Sequence, residues 1–156
     1  MTTQELSDHV EITQVIQRYF RSMDTRDFEL LESVFTPDAA LQYDVFRGVR
    51  TTYREMLPAF REFTRQFSFL QHMGGQLLID LSGNTATSSN NLRAIHVQTT
   101  HEGEENEWVV YGVYHDHHVR TEAGWRIAER RFHQTRSTGA LLPIDRVKTY
   151  DSPPWL

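Results

Sequence analysis

Residues 7–24 read SDHVEITQVIQRYFRSMD, and this stretch decides the fold of the chain. Its apolar side chains recur at steps of three and four residues, which is the spacing of one face of an α-helix. They are Val10, Ile12, Val15, Ile16, Tyr19, Phe20 and Met23. Ser7 or Asp8 is predicted to cap the start, since Glu11 lies three positions after Asp8. The sequence therefore predicts an amphipathic N-terminal helix over about residues 4–24 that ends at Asp24.

A second, shorter helix and a first strand are predicted immediately after this one. Asp27 can cap a helix over residues 28–35, and the sequence Thr36-Pro-Asp38 ends it because proline lacks an amide donor. Residues 39–46 alternate between apolar and polar side chains, as a half-buried strand does. A helix that leads directly into a strand is the expected start of a mixed domain.

A third helix is predicted after a turn at Gly48. Thr51 or Thr52 is expected to cap it, and it runs to about Gln66. Pro58 lies inside this stretch, so we expect either a kink or a late start there.

The sequence pattern changes after residue 67, where four strand-like segments follow one another. They cover residues 68–81, 85–100, 106–120 and 124–136. The short turns between the last three segments favour hairpins, so we expect an antiparallel meander. Helices followed by such a sheet form an α+β plan. Three helices on one face of a curved sheet would enclose a cone-shaped pocket.

Length and composition restrict the class of protein. The 156 residues suffice for one domain, which we place over residues 1–136, with a tail over residues 137–156 that packs on the same domain or on a neighbouring subunit. The net charge of −5 argues against a nucleic-acid partner, and the absence of cysteine excludes disulfides and thiol catalysis. No stretch has the length or apolar character of a membrane span or signal peptide, so we expect a cytoplasmic protein without a membrane partner.

The first candidate site residues are Asp24 and His72. Asp24 ends the first helix, and His72 lies in the apolar, aromatic stretch Phe67-Ser-Phe-Leu-Gln-His-Met. A carboxylate beside an imidazole fixes its tautomer and stabilises the imidazolium, which makes a general base. The alternative is that Asp24 merely ends the helix or pairs with Arg21 or Arg26. Against this, a carboxylate at a helix C-terminus is unfavourable next to the helix dipole.

The chain resembles the SnoaL-like branch of the NTF2-like superfamily, a cone-shaped α+β fold, over about residues 7–136. Five stretches carry the resemblance. They are Tyr19 with Asp24, Asp24-Thr-Arg-Asp27, Leu31-Glu-Ser-Val-Phe35-Thr-Pro-Asp38-Ala, His72-Met-Gly-Gly, and Tyr111-Gly-Val-Tyr114-His-Asp116 before Gly124-Trp-Arg-Ile127. The fold hosts several chemistries and also non-enzymes, so the resemblance alone does not decide the reaction.

Within this superfamily, the motif is most similar to that of scytalone dehydratase, bile-acid 7α-dehydratase and hexachlorocyclohexane dehydrochlorinase. In the last two an Asp ends the first helix and a His follows 48 positions later, as Asp24 and His72 do here. The resemblance also matches Tyr19, Tyr43 and Arg130 to site residues of the dehydratases. It implies a lyase that needs no cofactor or metal, acts on a hydrophobic small molecule, and forms a homo-oligomer, with a trimer favoured over a dimer.

Each of these residues has a proposed part in the chemistry. His72 is the expected base, Tyr19 and Tyr43 are expected to donate hydrogen bonds to substrate oxygens, and Arg130 is expected to stabilise developing negative charge. The tyrosines are equally typical of core residues on an amphipathic helix and a strand. Arg130 could instead be one of the solvent-exposed charges of the run Glu129-Arg130-Arg131. Arg131 takes the proposed role of Arg130 if the strand register is shifted by one residue.

The chain also contains a histidine cluster, His115-Asp-His117-His118. Two histidines at alternate positions of a strand share a face, as a metal site requires. The helical N-terminal half disfavours an all-β metalloenzyme, so we expect no metal and place His115 or His117 in the pocket wall as a second histidine. The remaining histidines are expected to be structural or exposed. They are His9, His96, His101 and His133.

Three functions remain open from the sequence. The first is a dehydratase-type lyase or an isomerase acting on a cyclic, largely apolar substrate such as a steroid, polyketide or terpenoid. The second is a polyketide cyclase that performs an aldol condensation with the same base. The third is a small-molecule-binding module without catalysis, which a filled pocket or a wide Asp24–His72 separation would favour.

Overall fold

A computed structural model describes all residues 1–156, as three helices and a six-stranded sheet. The helices are α1 (Thr3–Thr25), α2 (Phe28–Leu31) and α3 (Tyr53–Arg65). The strands are β1 (Phe35–Tyr43), β2 (Arg50–Thr52), β3 (Phe69–Ser82), β4 (Thr85–Thr99), β5 (Glu105–Thr121) and β6 (Gly124–Thr138). Two short 3₁₀ turns lie at Asp44–Phe46 and Ile144–Arg146.

The first helix has the predicted span, but its cap lies earlier than the sequence pattern indicated. Thr2 caps it through a capping box with Glu5, so the prediction of a cap at Ser7 or Asp8 was wrong. Asp8 is instead buried inside the helix, where Arg120 Nη2 donates to it at 2.7 Å. A hydrogen bond from Arg120 lowers the pKa of Asp8 to about 2. This ion pair fixes the start of α1 against the β5–β6 hairpin.

The second helix is shorter than predicted and the first strand begins sooner. Asp27 caps α2 as expected, because its side chain accepts from the amide of Leu30. The helix ends at Leu31, and β1 already starts at Phe35. The reason is a parallel pairing of β1 with β6, which begins at Phe35 and overrides the local helical preference.

The third helix runs without interruption past its proline. Thr52 caps it through a second capping box with Glu55, and the helix extends to Arg65. The late start that Pro58 suggested does not occur, because one lost amide hydrogen bond is outweighed by the buried face of the helix. That face consists of Tyr53, Met56, Phe60 and Thr64.

The sheet has the strand order β2-β1-β6-β5-β4-β3. Strands β3 to β6 form the predicted antiparallel meander, and β1 joins β6 in parallel, so that the sheet is mixed and open. Register shifts interrupt the β5–β6 and β3–β4 ladders and add local twist to the long strands. The α+β architecture expected from the sequence is confirmed.

The helices cover one face of the sheet, and the core of the domain lies between the two layers. The largest fully buried side chains come from α1 and from β5 and β6, such as Tyr19, Tyr114, Arg130 and Trp125. The other face of the sheet exposes Met73 and Leu78 among its side chains. None of the helices combines the length and apolar character that crossing a lipid bilayer requires.

The last eighteen residues pack along the end of the sheet near the C-terminus of α3. The amide of Leu142 donates to Gln98 Oε1 at 2.8 Å, and Lys148 donates its amide to Thr99. The amide of Tyr150 donates to the carbonyl of Arg65 at 2.7 Å. Trp155 of this tail is half exposed and lies beside Phe69.

Candidate active site

The centre of the site is a hydrogen-bonded carboxylate and imidazole. His72 Nδ1 lies 2.6 Å from Asp24 Oδ1, and the two side chains are 7% and 16% exposed. The backbone amide of His72 also donates to both carboxylate oxygens at 3.0 Å. Because Asp24 accepts a hydrogen bond from Nδ1–H, Nε2 is the ring nitrogen that remains available as a base. The structure therefore brings together the two residues that the sequence singled out.

Helix α1 and strand β3 position this pair. Asp24 lies in the last turn of α1, and His72 lies on β3, which is the edge strand of the sheet. An edge strand leaves alternate amides without a ladder partner, and the His72 amide uses this freedom to reach the carboxylate. Phe20 of α1 stacks on the imidazole, with ring centroids 5.9 Å apart. Gly74 permits this contact, because a β-carbon there would lie 2.4 Å from the Phe20 ring.

Two tyrosine hydroxyls lie on the same cavity wall. Tyr43 Oη and Tyr19 Oη are 3.2 Å apart and form a hydrogen bond, and both side chains line the cavity. Tyr114, which the sequence analysis did not single out, lines the same wall. Burial raises the pKa of Tyr43 and of Tyr114 well above the usual value, although the Arg130 charge opposes that rise. The hydroxyls of Tyr43 and Tyr114 therefore stay protonated and can donate hydrogen bonds.

Arg130 lies behind this wall and does not line the cavity. It is fully buried, and its Nε and Nη2 donate to the two oxygens of Asp116 at 2.7 and 2.6 Å. Its guanidinium carbon lies 4.2 Å from the ring centroids of both Tyr19 and Tyr114. A stacked, bidentate arginine of this kind fixes the position of the aromatic rings. Arg131, the fallback residue, lies on the other face and pairs with Asp44.

The second histidine of the cavity wall is His96, which the sequence analysis took to be structural or exposed. It is buried on β4, and its ring centroid lies 6.3 Å from that of His72. Its Nδ1 lies 3.2 Å from the carbonyl oxygen of Trp108, so Nδ1 carries the hydrogen. Burial, together with the nearby His72, lowers the pKa of His96 to about 3. The alternation of β4 could have indicated that His96 is buried. Leu92, Ala94 and His96 lie at alternate positions and therefore on the same, buried face of the strand.

The prediction that His115 or His117 lines the pocket was wrong. Both are exposed on the outer face of β5, whereas their neighbours Asp116 and His118 point inward and are buried. Neither exposed histidine belongs to a group of three or more potential metal ligands. The sequence left the register of this hairpin open by one residue, and such a slip exchanges the two faces of a strand.

The cavity enclosed by these residues is small and apolar. Its volume is about 30 Å³, and twelve of its fourteen lining residues are hydrophobic. Pockets that hold drug-sized ligands usually measure about 300–1,000 Å³. The cavity in this form accommodates little more than one water molecule. A molecule as large as a six-membered ring can therefore enter only if part of the wall moves.

One wall segment lacks strand or α-helical hydrogen bonding. Residues 44–49, called here the 44–49 segment, place Val45 and Phe46 in the cavity wall. The Asp44 carboxylate holds the segment to β6, where Arg131 Nη2 and the amide of Gln134 contact it at 2.6 and 2.8 Å. The rest of the wall comes from α1, α3 and the long strands.

Comparison with known proteins agrees with this architecture. The SnoaL-like domain model matches residues 4–131. The uncharacterized protein Rv2910c of Mycobacterium tuberculosis is 32% identical over 132 residues, which cover 83% of this chain and 87% of that protein.

Two solved structures show the same fold at low sequence identity. A putative scytalone dehydratase from Novosphingobium aromaticivorans superposes with a TM-score of 0.78 at 21% identity, over 95% of this chain and 96% of that one. A hexachlorocyclohexane dehydrochlorinase, LinA-type3 from Novosphingobium barchaimii, superposes with a TM-score of 0.73 at 15% identity, over 89% and 97%. The resemblance stated from the sequence motifs is thus confirmed. The chain belongs to the SnoaL-like domain family and has the α+β cone fold of the NTF2-like superfamily.

Proposed function

We propose that this protein is a cofactor-independent lyase of the dehydratase type, with the Asp24–His72 pair as its general base. The observation that carries the proposal is the 2.6 Å contact between the two side chains at the wall of an apolar cavity. A carboxylate-paired imidazole in such a place is well suited to remove a proton from carbon. The fold is also that of a putative dehydratase and of a dehydrochlorinase, and both names denote eliminations.

The proposed reaction is the loss of water from a cyclic β-hydroxy carbonyl compound. His72 Nε2 takes the proton from the carbon next to the carbonyl, and Asp24 stabilises the imidazolium that results. Tyr19 donates a hydrogen bond to the carbonyl oxygen as negative charge builds up there, and Tyr43 supports this donor through its own hydrogen bond to Tyr19. The enolate electrons then form the carbon–carbon double bond as the carbon–oxygen bond breaks. The departing hydroxyl takes the proton from His72 and leaves as water.

His96 has a different part in this proposal. Because its Nδ1–H donates to the Trp108 carbonyl and its pKa is about 3, the ring is neutral near pH 7. Its Nε2 can therefore accept a hydrogen bond but has no proton to give. In this proposal, Nε2 of His96 accepts a hydrogen bond from the substrate hydroxyl and orients this group for its departure. Arg130 acts through the rings of Tyr19 and Tyr114 and is a positioning residue in this scheme.

Substrate entry is proposed to occur through the 44–49 segment. A cavity of about 30 Å³ has to open before a ring compound fits, and this segment is fixed by side-chain contacts to Asp44 and only a few backbone hydrogen bonds. Movement of Phe46 away from Phe63, whose ring centroid lies 5.2 Å away, would enlarge the cavity toward solvent. The small cavity is also the observation that favours the alternative, a binding module without catalysis.

The test uses small cyclic ketones in two forms. Cyclic β-hydroxy ketones report elimination through the near-ultraviolet absorbance of the enone product. The same ketones without the hydroxyl report proton removal alone, through exchange of the α-hydrogen for deuterium in D₂O by NMR. We expect the protein to accelerate both, and Asp24→Ala and His72→Ala each to lower the rate by about 10²–10⁴-fold with folding intact.

The outcomes separate the candidate functions. Exchange without enone formation moves the assignment to an isomerase or an aldol-type cyclase that uses the same base. Ketone binding with exchange no faster than in buffer identifies a non-catalytic module. Exchange that survives His72→Ala at the wild-type rate removes the pair as the base.

A further inference from the structure

One arginine side chain links the end of helix α1 to the C-terminal end of α3. Arg26 follows Asp24 by two residues, and its Nε and Nη2 donate to the carbonyl of Thr64 at 3.0 and 2.7 Å. Nη2 also donates to the carbonyl of Phe67. Thr64 lies in the last turn of α3, and Phe67 lies in the connection that leads into β3. The guanidinium therefore bridges α1 to the start of the strand that carries His72.

The backbone at Arg26 is in a conformation that favours another residue. Its φ of 58° is left-handed, and its amide closes α1 by donating to the carbonyl of Ser22. Glycine is the usual residue at such a helix end, because a β-carbon is strained in this conformation. An arginine at this position keeps the strain and gains the hydrogen bonds of its side chain.

The position of the bridge matters for the candidate base. Asp24 lies two residues before Arg26, and His72 lies five residues after Phe67. The bridge therefore connects the two chain segments that carry the candidate base. Asp24 meets His72 through three contacts of 2.6 to 3.0 Å, each of which is sensitive to small displacements of α1 relative to β3. We propose that Arg26 is a positioning residue for the Asp24–His72 pair, holding the end of α1 against the α3–β3 connection so that the carboxylate meets the imidazole.

This inference deepens the proposed function, since it assigns Arg26 to the same general base, but its test needs no substrate. Two NMR observables report the pair directly. The first is the tautomer of the His72 ring, read from its long-range ¹H–¹⁵N correlations above neutral pH and assigned by their loss in His72→Gln. The second is the exchange rate of the His72 backbone amide with D₂O, since that amide donates to Asp24.

The variants separate positioning from helix capping. Arg26→Gly removes the guanidinium and relieves the left-handed backbone, so it preserves the end of α1. Arg26→Met removes the charge and keeps the bulk, and Arg26→Lys restores a single cationic donor. Arg65→Met is the matched control, because Arg65 lies at the same end of α3 but pairs with Asp151 and Glu62 on the surface. Asp24→Ala gives the reference values for an uncoupled His72.

We expect Arg26→Gly and Arg26→Met to lose the Nδ1–H tautomer preference and to exchange the His72 amide faster, toward the values of Asp24→Ala. Arg26→Lys should recover part of both, and Arg65→Met should match the wild type. If the glycine and methionine variants keep the wild-type His72 tautomer and the wild-type exchange rate of the His72 amide, the inference is overturned, even if their melting temperatures fall. If neither of these two folds, the lysine variant decides by the same observables. The two proposals can fail separately. If the Arg26 variants shift the His72 tautomer but the wild-type protein does not catalyse ketone exchange, the proposed function is refuted and the positioning inference stands.

Discussion

At the scale of single residues, the tyrosine pair illustrates how several side chains act as one unit. Tyr19 and Tyr43 share a hydrogen bond of 3.2 Å, and Arg130 lies against the Tyr19 ring while Asp116 holds it from behind. Neither hydroxyl has its position set independently of the other. Removal of one therefore disturbs the orientation of the second as well as deleting a donor.

This coupling predicts non-additive kinetics. Tyr19→Phe and Tyr43→Phe are each expected to lower kcat/KM for ketone exchange by about 10²-fold, because the first removes the donor to the developing oxyanion and the second removes the hydrogen bond that orients this donor. The double variant should lose far less than the product of the two effects, because the first substitution already disorders the pair. The measurement is a double-mutant cycle in kcat/KM. Tyr53→Phe is the control, since its hydroxyl donates to Glu32 away from the cavity.

A double variant whose loss equals the product of the single losses would show that the hydroxyls act independently. A loss in Tyr53→Phe as large as in the cavity variants would show that the effect is one of general stability. Either result would remove the paired donor from the proposed mechanism.

At the scale of elements, the 44–49 segment differs from the rest of the wall. Helices and long strands are held by repeated backbone hydrogen bonds, whereas this segment depends mainly on the contacts of Asp44 with β6. Local opening concentrates where few such bonds have to break. We therefore expect substrate to enter past this segment, which one carboxylate and only a few other hydrogen bonds hold in place.

Asp44→Asn is expected to loosen this segment. The substitution keeps the side-chain volume and removes the charge that faces Arg131, which costs about 1 kcal/mol for a pair partly exposed to solvent. Opening of the segment should then become roughly fivefold more frequent. Hydrogen–deuterium exchange by mass spectrometry measures this on the peptide that contains residues 44–49. Glu129→Gln is the control, since it breaks an exposed pair with Arg50 outside the segment.

Faster exchange confined to this peptide, with β4 peptides unchanged, is the expected pattern. Equal exchange in Asp44→Asn and wild type would exclude the carboxylate as the attachment. Faster exchange over the whole chain would indicate global destabilisation and not local opening.

At the scale of the whole molecule, two buried histidines make stability depend on pH. Burial lowers the pKa of His118 from 6.5 to about 4, and burial with the nearby His72 lowers that of His96 to about 3. The unfolded chain therefore binds more protons than the folded protein below pH 6.5. The free energy of unfolding must fall as the pH drops through this range, down to about pH 4 for His118 and pH 3 for His96.

Between pH 6.5 and pH 5, each of these histidines is expected to remove about 2 kcal/mol from the free energy of unfolding. Urea unfolding at several pH values measures this slope. His118→Gln keeps a donor for Ser88 Oγ, which lies 2.8 Å from His118 Nε2, and should remove about half of the slope. His101→Gln, at an exposed position, serves as the control and should leave the slope unchanged. Parallel profiles for wild type and His118→Gln would contradict the assignment.

The sequence by itself determined the two long helices, the four long strands and the central pair of the candidate site. Periodicity of three and four residues located α1, and alternation located the four long strands to within about two residues, because both patterns are properties of neighbouring residues along the chain. The 48-residue spacing of Asp24 and His72 indicated the candidate base through its resemblance to the family motif. These are signals that a linear pattern can contain.

Only the tertiary structure decided the rest of the site. The face of β5 that packs against the helices buries Asp116 and leaves His115 exposed. Strand β4 brings His96 to the cavity. The pairing of Arg130 with Asp116, and of Arg26 with the end of α3, depends on which strands and helices become neighbours. A shift of one residue in strand register exchanges the two faces of a sheet, and the burial of one face against the helices fixes that register. Long-range packing, which sets the register, therefore selects the partners.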